Sequence, residues 1–224
     1  MIANWPCPTT DGIGASSEEY AVAFDRQRAA RVLIVPALFD EANRLRRFAI
    51  ETMRRLDVAG IDSVLPDLPG TNESLAPLPA QSLDSWRAAM AFAAVHFRAT
   101  HVLALRGGTL VAPALPGWAL APVTGAAILR QLVRMRLLAA REAGREETSE
   151  ALLREGRDDG LMLGGHALGP VMVTGLEVAE PIAGLAPISQ SDLGGGALWL
   201  RAEPSEDAGQ SAALAQIVAA GLQG

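Results

Sequence analysis

The sequence contains no lysine, a single cysteine and only three histidines. The lone cysteine, Cys7, excludes an internal disulfide and is compatible with a reducing compartment. We interpret it as an incidental side chain near the N-terminus rather than a reactive thiol. All nineteen basic residues are arginine, which we attribute to the composition of a GC-rich genome. The net charge of −6 argues against nucleic acid as a partner.

Long apolar runs are also missing. No apolar run reaches the roughly 18 residues that a membrane-spanning helix needs without a charge or a proline, so we predict no membrane span. No basic leader precedes an apolar run, which predicts no signal peptide and a cytoplasmic location. The 224 residues, half of them apolar, predict one domain covering residues 1–224.

Short apolar, β-branched runs alternate with amphipathic segments along the first half of the chain. The runs predict buried strands at 32–35, 61–65 and 101–105. Apolar residues at spacings of three and four predict two helices between them. The first has Asp40 as N-cap and ends at Gly60, and the second is capped by Ser82.

The remaining segments are predicted with less regular patterns. We predict an irregular entry at 1–20, an edge strand at 20–24, a strand at 118–121, a helix at 125–141, a charged lid or helical pair at 142–157, an ambiguous glycine-rich stretch at 161–168, a helix opened by Pro170, a last strand at 197–201 and a closing helix at 205–220. Residues 125–176 together form the predicted lid region.

This order predicts an α/β fold with a doubly wound, mostly parallel sheet. In such sheets, ligands bind outside the carboxyl ends of the strands. The loops that begin at Pro36, Pro66 and Arg106 should therefore surround one crevice.

The third strand runs into Ala104-Leu105-Arg106-Gly107-Gly108. In α/β-hydrolases, small residues at such a strand-to-helix turn expose a serine nucleophile. Here Arg106 occupies the serine position, and an arginine has no lone pair with which to attack. The base comes last in the hydrolase chain order, but His166, the last histidine, precedes the predicted final strand. A Ser-His-Asp triad is therefore not expected, and Pro113 limits the helix after the turn to one or two turns.

Several motifs in the same order resemble those of the exosortase A system-associated hydrolases. The matching segments are 36–47 (P-P-F-x-E-E-x-N-x-x-R-R), 65–74 (L-P-D-L-x-G-x-G-x-S), 105–108 (the G-L-R-L-G elbow, which carries arginine in one branch), 122–134 (P-V-x-x-G-x-x-F-L-R-Q-x-L-R) and 164–168 (A-G-Y-x-L). The resemblance implies a divergent, C-terminally shortened α/β-hydrolase-like fold with a helical lid, in a bacterial polysaccharide-export and protein-sorting setting. Asn72 replaces the family's glycine and His166 its tyrosine.

Arg106 allows two interpretations. Beside a helix N-terminus, its guanidinium can capture a ligand carboxylate or phosphate. Alternatively, it forms an internal ion pair with Glu41 or Asp67 and fills the space a substrate once used.

The other pocket candidates carry similar alternatives. Glu41 and Asn43 either line the crevice or begin a capped helix, and Asp67 is a pocket carboxylate or a turn residue. Leu38 and Gly107 complete the candidate pocket. His166 is either a base reaching in from the lid or a structural histidine. The histidines lack metal-binding spacing, so we predict neither a metal nor a cofactor.

Three hypotheses follow. The first is a catalytically silent hydrolase relative that binds a small anionic or lipid-like ligand, or a partner protein, in the crevice. The second is an active hydrolase or acyltransferase with non-standard residues, for instance Glu41 or Asp67 activating water. The third is a structural partner that forms a homo-oligomer, such as a dimer.

Overall fold

A computed structural model describes residues 1–9 and 16–223 of the chain. The described strands are β1 (Ile2–Pro8), β2 (Ser16–Phe24), β3 (Arg31–Val35), β4 (Asp62–Pro66), β5 (His101–Leu105), β6 (Gly117–Leu120), β7 (Leu161–Leu163), β8 (His166–Leu168) and β9 (Ala186–Ile188). The α-helices are α1 (Asp40–Val58), α2 (Leu83–His96), α3 (Gly125–Glu142), α4 (Ser149–Asp158), α5 (Pro170–Val178), α6 (Gln190–Leu193) and α7 (Ala208–Gly221). Short 3-10 helices lie at Leu78–Ala80, Arg106–Leu110 and Leu198–Leu200.

Seven strands form one sheet in the order β1-β2-β4-β3-β5-β6-β9. From β4 to β9 neighbouring strands run parallel, whereas β1 pairs antiparallel with β2 and β2 antiparallel with β4. The predicted doubly wound, mostly parallel α/β sheet is therefore confirmed.

Helices cover both faces of this sheet. On one face, buried side chains of α1 and α7, such as Phe48, Met53 and Leu214, pack on alternate residues of β3 and β5. On the other face, α2, α3 and α5 contribute a second apolar cluster that includes Trp86 and Met172. The central strands β3 and β5 are apolar after their first residue because both of their faces are buried.

Three predicted elements need correction. Outside residues 10–15, which are not described, the entry segment is not irregular but forms β1 and the start of β2. The predicted edge strand at 20–24 belongs to β2, which lies between β1 and β4. The predicted last strand at 197–201 is instead a 3-10 helix, and the strand at the far edge is β9.

Smaller differences concern helix ends and the lid region. Asp40 is the first helical residue of α1, and the preceding Phe39 takes the N-cap position without a side-chain cap bond. Ser82 caps α2 as predicted, in a reciprocal capping box with Ser85. The charged segment at 142–157 contains one helix, α4, and the glycine-rich stretch is the β7–β8 hairpin.

In the part of the chain that the structure describes, no helix combines the length and apolar character needed to cross a membrane.

Candidate functional site

The turn that leaves β5 is a strained elbow. Arg106 has a φ of 52°, a left-handed conformation that is costly for a side chain with a Cβ. The 3-10 helix Arg106–Leu110 follows, and the Thr109 hydroxyl donates a 2.8 Å hydrogen bond to the Arg106 carbonyl oxygen. This backbone is the kind that presents the nucleophile in α/β-hydrolases, and here it presents a guanidinium.

Each nitrogen of the Arg106 guanidinium donates a hydrogen bond to the protein. Its Nε and Nη2 donate to the two carboxylate oxygens of Glu41, each at 3.0 Å. Its Nη1 donates to the Ala121 carbonyl oxygen at 2.8 Å, and its Cζ lies 4.3 Å from the ring centroid of Trp199. The Arg106 and Glu41 side chains are only 14% and 9% exposed. A bidentate pair this well covered is a strong, oriented contact.

Glu41 is well placed to hold this charge. It lies in the first turn of α1, where the helix dipole and free N–H groups favour a carboxylate. The ion pair thus joins the start of α1, after β3, to the elbow after β5.

The glycines of the elbow are packed too closely to admit a side chain. A Cβ on Gly108 would lie 2.4 Å from the Pro36 carbonyl oxygen. A Cβ on Gly107 would lie 2.6 Å from Ile128 Cδ1 and 3.1 Å from Leu38 Cγ. Gly107 and Leu38 are therefore buried against apolar neighbours rather than lining an open pocket.

Asp67, at the end of β4, belongs to a separate buried cluster. It is 1% exposed, and its Oδ1 accepts hydrogen bonds from Arg46 Nη1 at 2.6 Å and Asn72 Nδ2 at 2.7 Å. Its charge and one carboxylate oxygen are thus already satisfied by the protein.

His166 reaches the same edge of the sheet from strand β8. Its Nε2 lies 3.1 Å from Asp40 Oδ1, and its ring packs edge-on against Phe39 with centroids 5.4 Å apart. Since an ionised carboxylate can only accept, the imidazole is the donor in this hydrogen bond. Both side chains remain about one-quarter exposed, at 27% for His166 and 25% for Asp40.

One part of the predicted crevice, beside α1, leaves little open space. Where the carboxyl ends of β3, β4 and β5 meet α1, the void beside Pro36, Leu65 and Leu105 has a volume of about 10 Å³. That is at most the space of one water molecule. Asn43 lies on the exposed side of α1. The structure therefore brings Arg106 and Glu41 together, places Asp67 in its own cluster, and puts His166 with Asp40.

Sequence reasoning did not identify Trp199, Ala121 and Asp40 as partners in these clusters. Trp199 lies in the segment that was predicted as a strand, and Ala121 contributes only a backbone oxygen. Asp40 was noted as a helix cap alone. The sequence offered one signal for Trp199: a buried arginine often stacks on an aromatic ring.

Among residues 1–9 and 16–223, no three His, Cys, Asp or Glu side chains converge as metal ligands.

Comparisons with known proteins give similarity at the level of the fold. No family model matches the chain. No curated protein matches it either.

Solved structures do resemble it. Mouse alpha/beta hydrolase domain-containing protein 10 is 9% identical over 78% of this chain and 69% of its own, with a TM-score of 0.49. The proline iminopeptidase-related protein from Thermus thermophilus is 17% identical over 69% and 60%, with a TM-score of 0.45. Est1E from Butyrivibrio proteoclasticus, with ferulic acid bound, is 16% identical over 71% and 67%, also with a TM-score of 0.45.

Proposed function

We propose that this chain uses an α/β-hydrolase-like fold as a non-catalytic binding protein. The observation that carries the proposal is the paired arginine at the elbow. Where a hydrolase of this fold exposes a nucleophile, Arg106 is held by Glu41, Ala121 and Trp199. A guanidinium stays protonated at any working pH and offers no lone pair.

The same contacts disfavour anion capture at the elbow itself. A ligand carboxylate would have to displace Glu41, which already makes both hydrogen bonds in a bidentate geometry. Removing one partner of a buried pair leaves the other charge unpaired, at a cost of about 3 kcal/mol or more. The interpretation of Arg106 as an internal structural cation is therefore favoured over a ligand-binding one.

The wider setting is part of the proposal. The motif resemblance supports a role beside a bacterial exopolysaccharide-export and protein-sorting system, in the cytoplasm. We further propose one domain over residues 1–224, with residues 125–176 as its lid, that associates as a homo-oligomer such as a dimer.

Labelling with a serine-directed fluorophosphonate tests the absence of a nucleophile. The native protein should remain unlabelled under conditions that label a known serine esterase to completion. It should also hydrolyse p-nitrophenyl butyrate no faster than a heat-unfolded sample. Stoichiometric labelling of the native protein, lost on unfolding, would contradict the proposal.

A second candidate function rests on the His166–Asp40 pair. A carboxylate that orients an imidazole is the usual arrangement of a general base, and this one is partly open to solvent. In this interpretation the chain is a hydrolase or acyltransferase in which His166 activates water or an acceptor. Glu41 and Asp67 are less suited to that task, since both are buried and paired with arginines.

Kinetics separate the two candidates. If His166 is a base, ester turnover should exceed the background and should fall at least about a hundredfold in His166→Gln. Asp40→Asn should lower it less, because the base itself remains. Arg47→Gln, an exposed change on the same helix, serves as control. Turnover that is unchanged in His166→Gln excludes this second function.

A further inference from the structure

A groove lies between helices α3, α4 and α5, away from the elbow. It encloses about 540 Å³, which is within the usual range of small-molecule sites. Its apolar wall is formed by the residues Ala126, Leu129, Val133, Leu137 and Leu153.

Two arginines border this apolar wall. Arg130 and Arg134 line the groove on successive turns of α3 and are exposed. Neither guanidinium makes an ion pair or a side-chain hydrogen bond to any residue within 1–9 and 16–223. Like charges at this spacing repel each other, so the pair raises the local free energy of the helix.

Two other arginines on α3 and α4, Arg136 and Arg157, are paired, whereas Arg141 and Arg154 make no ion pair with the described residues. Arg136 makes a bidentate pair with Glu147, at 2.7 and 2.8 Å. Arg157 makes contacts of 2.7 to 3.2 Å with Glu177. Glu177 also lines the groove, but Arg157 already neutralises its carboxylate. The groove therefore combines its apolar wall with the positive charges of Arg130 and Arg134, which no acidic side chain of the groove neutralises.

We propose that this groove binds a single-chain anionic amphiphile, with the acid group of a fatty acid as the type case. The carboxylate lies between Arg130 and Arg134, where it relieves their repulsion, and the alkyl chain covers Leu129, Val133 and Leu153. This inference rests on the proposed binding role and gives it a place and a ligand class.

The charges favour such a ligand over a second copy of the chain. A two-fold symmetric contact brings the same patch of both subunits together. That contact would place four guanidiniums in one interface, with no acidic partner among the groove's residues except the already paired Glu177. An anion with an alkyl chain matches both the charge and the apolar wall.

Isothermal titration calorimetry with dodecanoate, below its micelle concentration, tests the proposal on the whole chain. Dodecanoate should bind with one-to-one stoichiometry. Dodecanol, which has the same chain without the charge, and butyrate, which has the charge without the chain, should each bind at least about tenfold more weakly.

Variants locate the site. Arg130→Gln with Arg134→Gln should weaken dodecanoate binding by about tenfold for each charge removed. Arg141→Gln, an exposed arginine on the last turn of α3 that does not line the groove, should leave it unchanged. Ala126→Phe should fill part of the groove and weaken binding, provided that its cooperative thermal unfolding is retained.

Three results would overturn the proposal: no dodecanoate binding, equal binding of dodecanol, or binding that both the double arginine variant and Ala126→Phe leave unchanged. Light scattering adds a fourth result that would overturn it. If the chain is a dimer that Ala126→Phe dissociates and dodecanoate does not, the groove is occupied by a second copy. Fluorophosphonate labelling detects an activated serine and does not depend on dodecanoate binding, so failure of the groove and failure of the non-catalytic role are separate outcomes.

Discussion

The Arg106 guanidinium and the Trp199 indole are stacked, with 4.3 Å between Cζ and the ring centroid. Trp199 is 8% exposed and lies in the 3-10 helix Leu198–Leu200. Its carbonyl oxygen also accepts a 3.0 Å hydrogen bond from Arg44 of α1. The segment after α6 is thus held by two contacts of Trp199. Its ring packs on Arg106 of the elbow, and its backbone oxygen accepts a hydrogen bond from Arg44 of α1.

Replacing Trp199 by leucine should therefore loosen this cover. The cation–π contact and part of the apolar contact are lost, at a cost of about 1–3 kcal/mol in the free energy of unfolding, measured in urea. The cost should shrink in an Arg106→Met background, because the cation is already absent. Leu200→Ala, at an exposed neighbour, should change stability by less than about 0.5 kcal/mol. An equal cost in both backgrounds would show that Trp199 contributes only apolar contact.

The Arg106–Glu41 pair predicts strong thermodynamic coupling. Arg106→Met or Glu41→Met alone leaves a buried, unpaired charge and should cost about 3 kcal/mol. The double variant should cost less than the sum of the two by about 2 kcal/mol, since no charge is left without a partner. Chemical denaturation of the four proteins measures the coupling, with Arg47→Met as the exposed control on α1. Additive costs would mean that the two side chains are solvated independently.

The sequence predicted the central elements because their signals are local. Residues 32–35 and 102–105 are continuous apolar runs, as expected of strands covered on both faces, and 61–65 ends in Val64 and Leu65; the structure has strands at all three places. Ser82 has the chemistry of a helix cap, and it caps α2.

Elements whose stability depends on distant partners were misread. β1 carries Pro6 and Pro8, residues that the centre of a sheet excludes but an edge strand tolerates. Its alternation is visible only once Trp5 and Cys7 are seen to face the core. The apolar run at 197–201 satisfies a strand pattern equally well, but it buries Leu198 and Trp199 beside α1 instead of pairing with the sheet.

The partner of Arg106 shows the same limit at the site. The sequence left Glu41 and Asp67 as equal candidates, because both follow strands whose carboxyl ends meet. The structure assigns Glu41, and Asp67 is occupied by Arg46 and Asn72. Which of two carboxylates meets an arginine depends on a few ångströms of backbone placement that no pattern of residue types encodes.

Cys7 should be chemically silent in the folded protein. It is fully buried, and burial together with the charge of Glu19 raises the pKa of its thiol to about 12. Since the thiolate is the reactive form, Ellman's reagent at pH 8 should label the thiol only after unfolding in urea. Reaction of the native protein at the unfolded rate would contradict the buried placement.

The raised pKa of Cys7 also predicts alkaline destabilisation. The unfolded thiol ionises near its ordinary pKa of 9.0, whereas the folded thiol keeps its proton up to about 12. Between these values the folded state binds more protons, so the free energy of unfolding falls as pH rises. Comparing the pH dependence of unfolding for the native chain and Cys7→Ala isolates this contribution. The slope difference should appear above about pH 9 and be absent at pH 7.

The loop between α3 and α4 should be released by acid. The Arg136 hydrogen bonds lower the pKa of the Glu147 carboxyl below its usual value, so the contact is present at neutral pH and is lost as pH falls through that lowered pKa. Glu147→Gln should reproduce the loss at neutral pH and speed amide hydrogen exchange in residues 143–150. Glu146→Gln, at an exposed neighbour, serves as control.

Arg136 and Glu147 connect α3 to the segment just before α4. If this contact fixes the wall of the groove, Glu147→Gln should also weaken dodecanoate binding. Exchange rates equal to those of the control would show that the Arg136–Glu147 contact does not hold this loop in place.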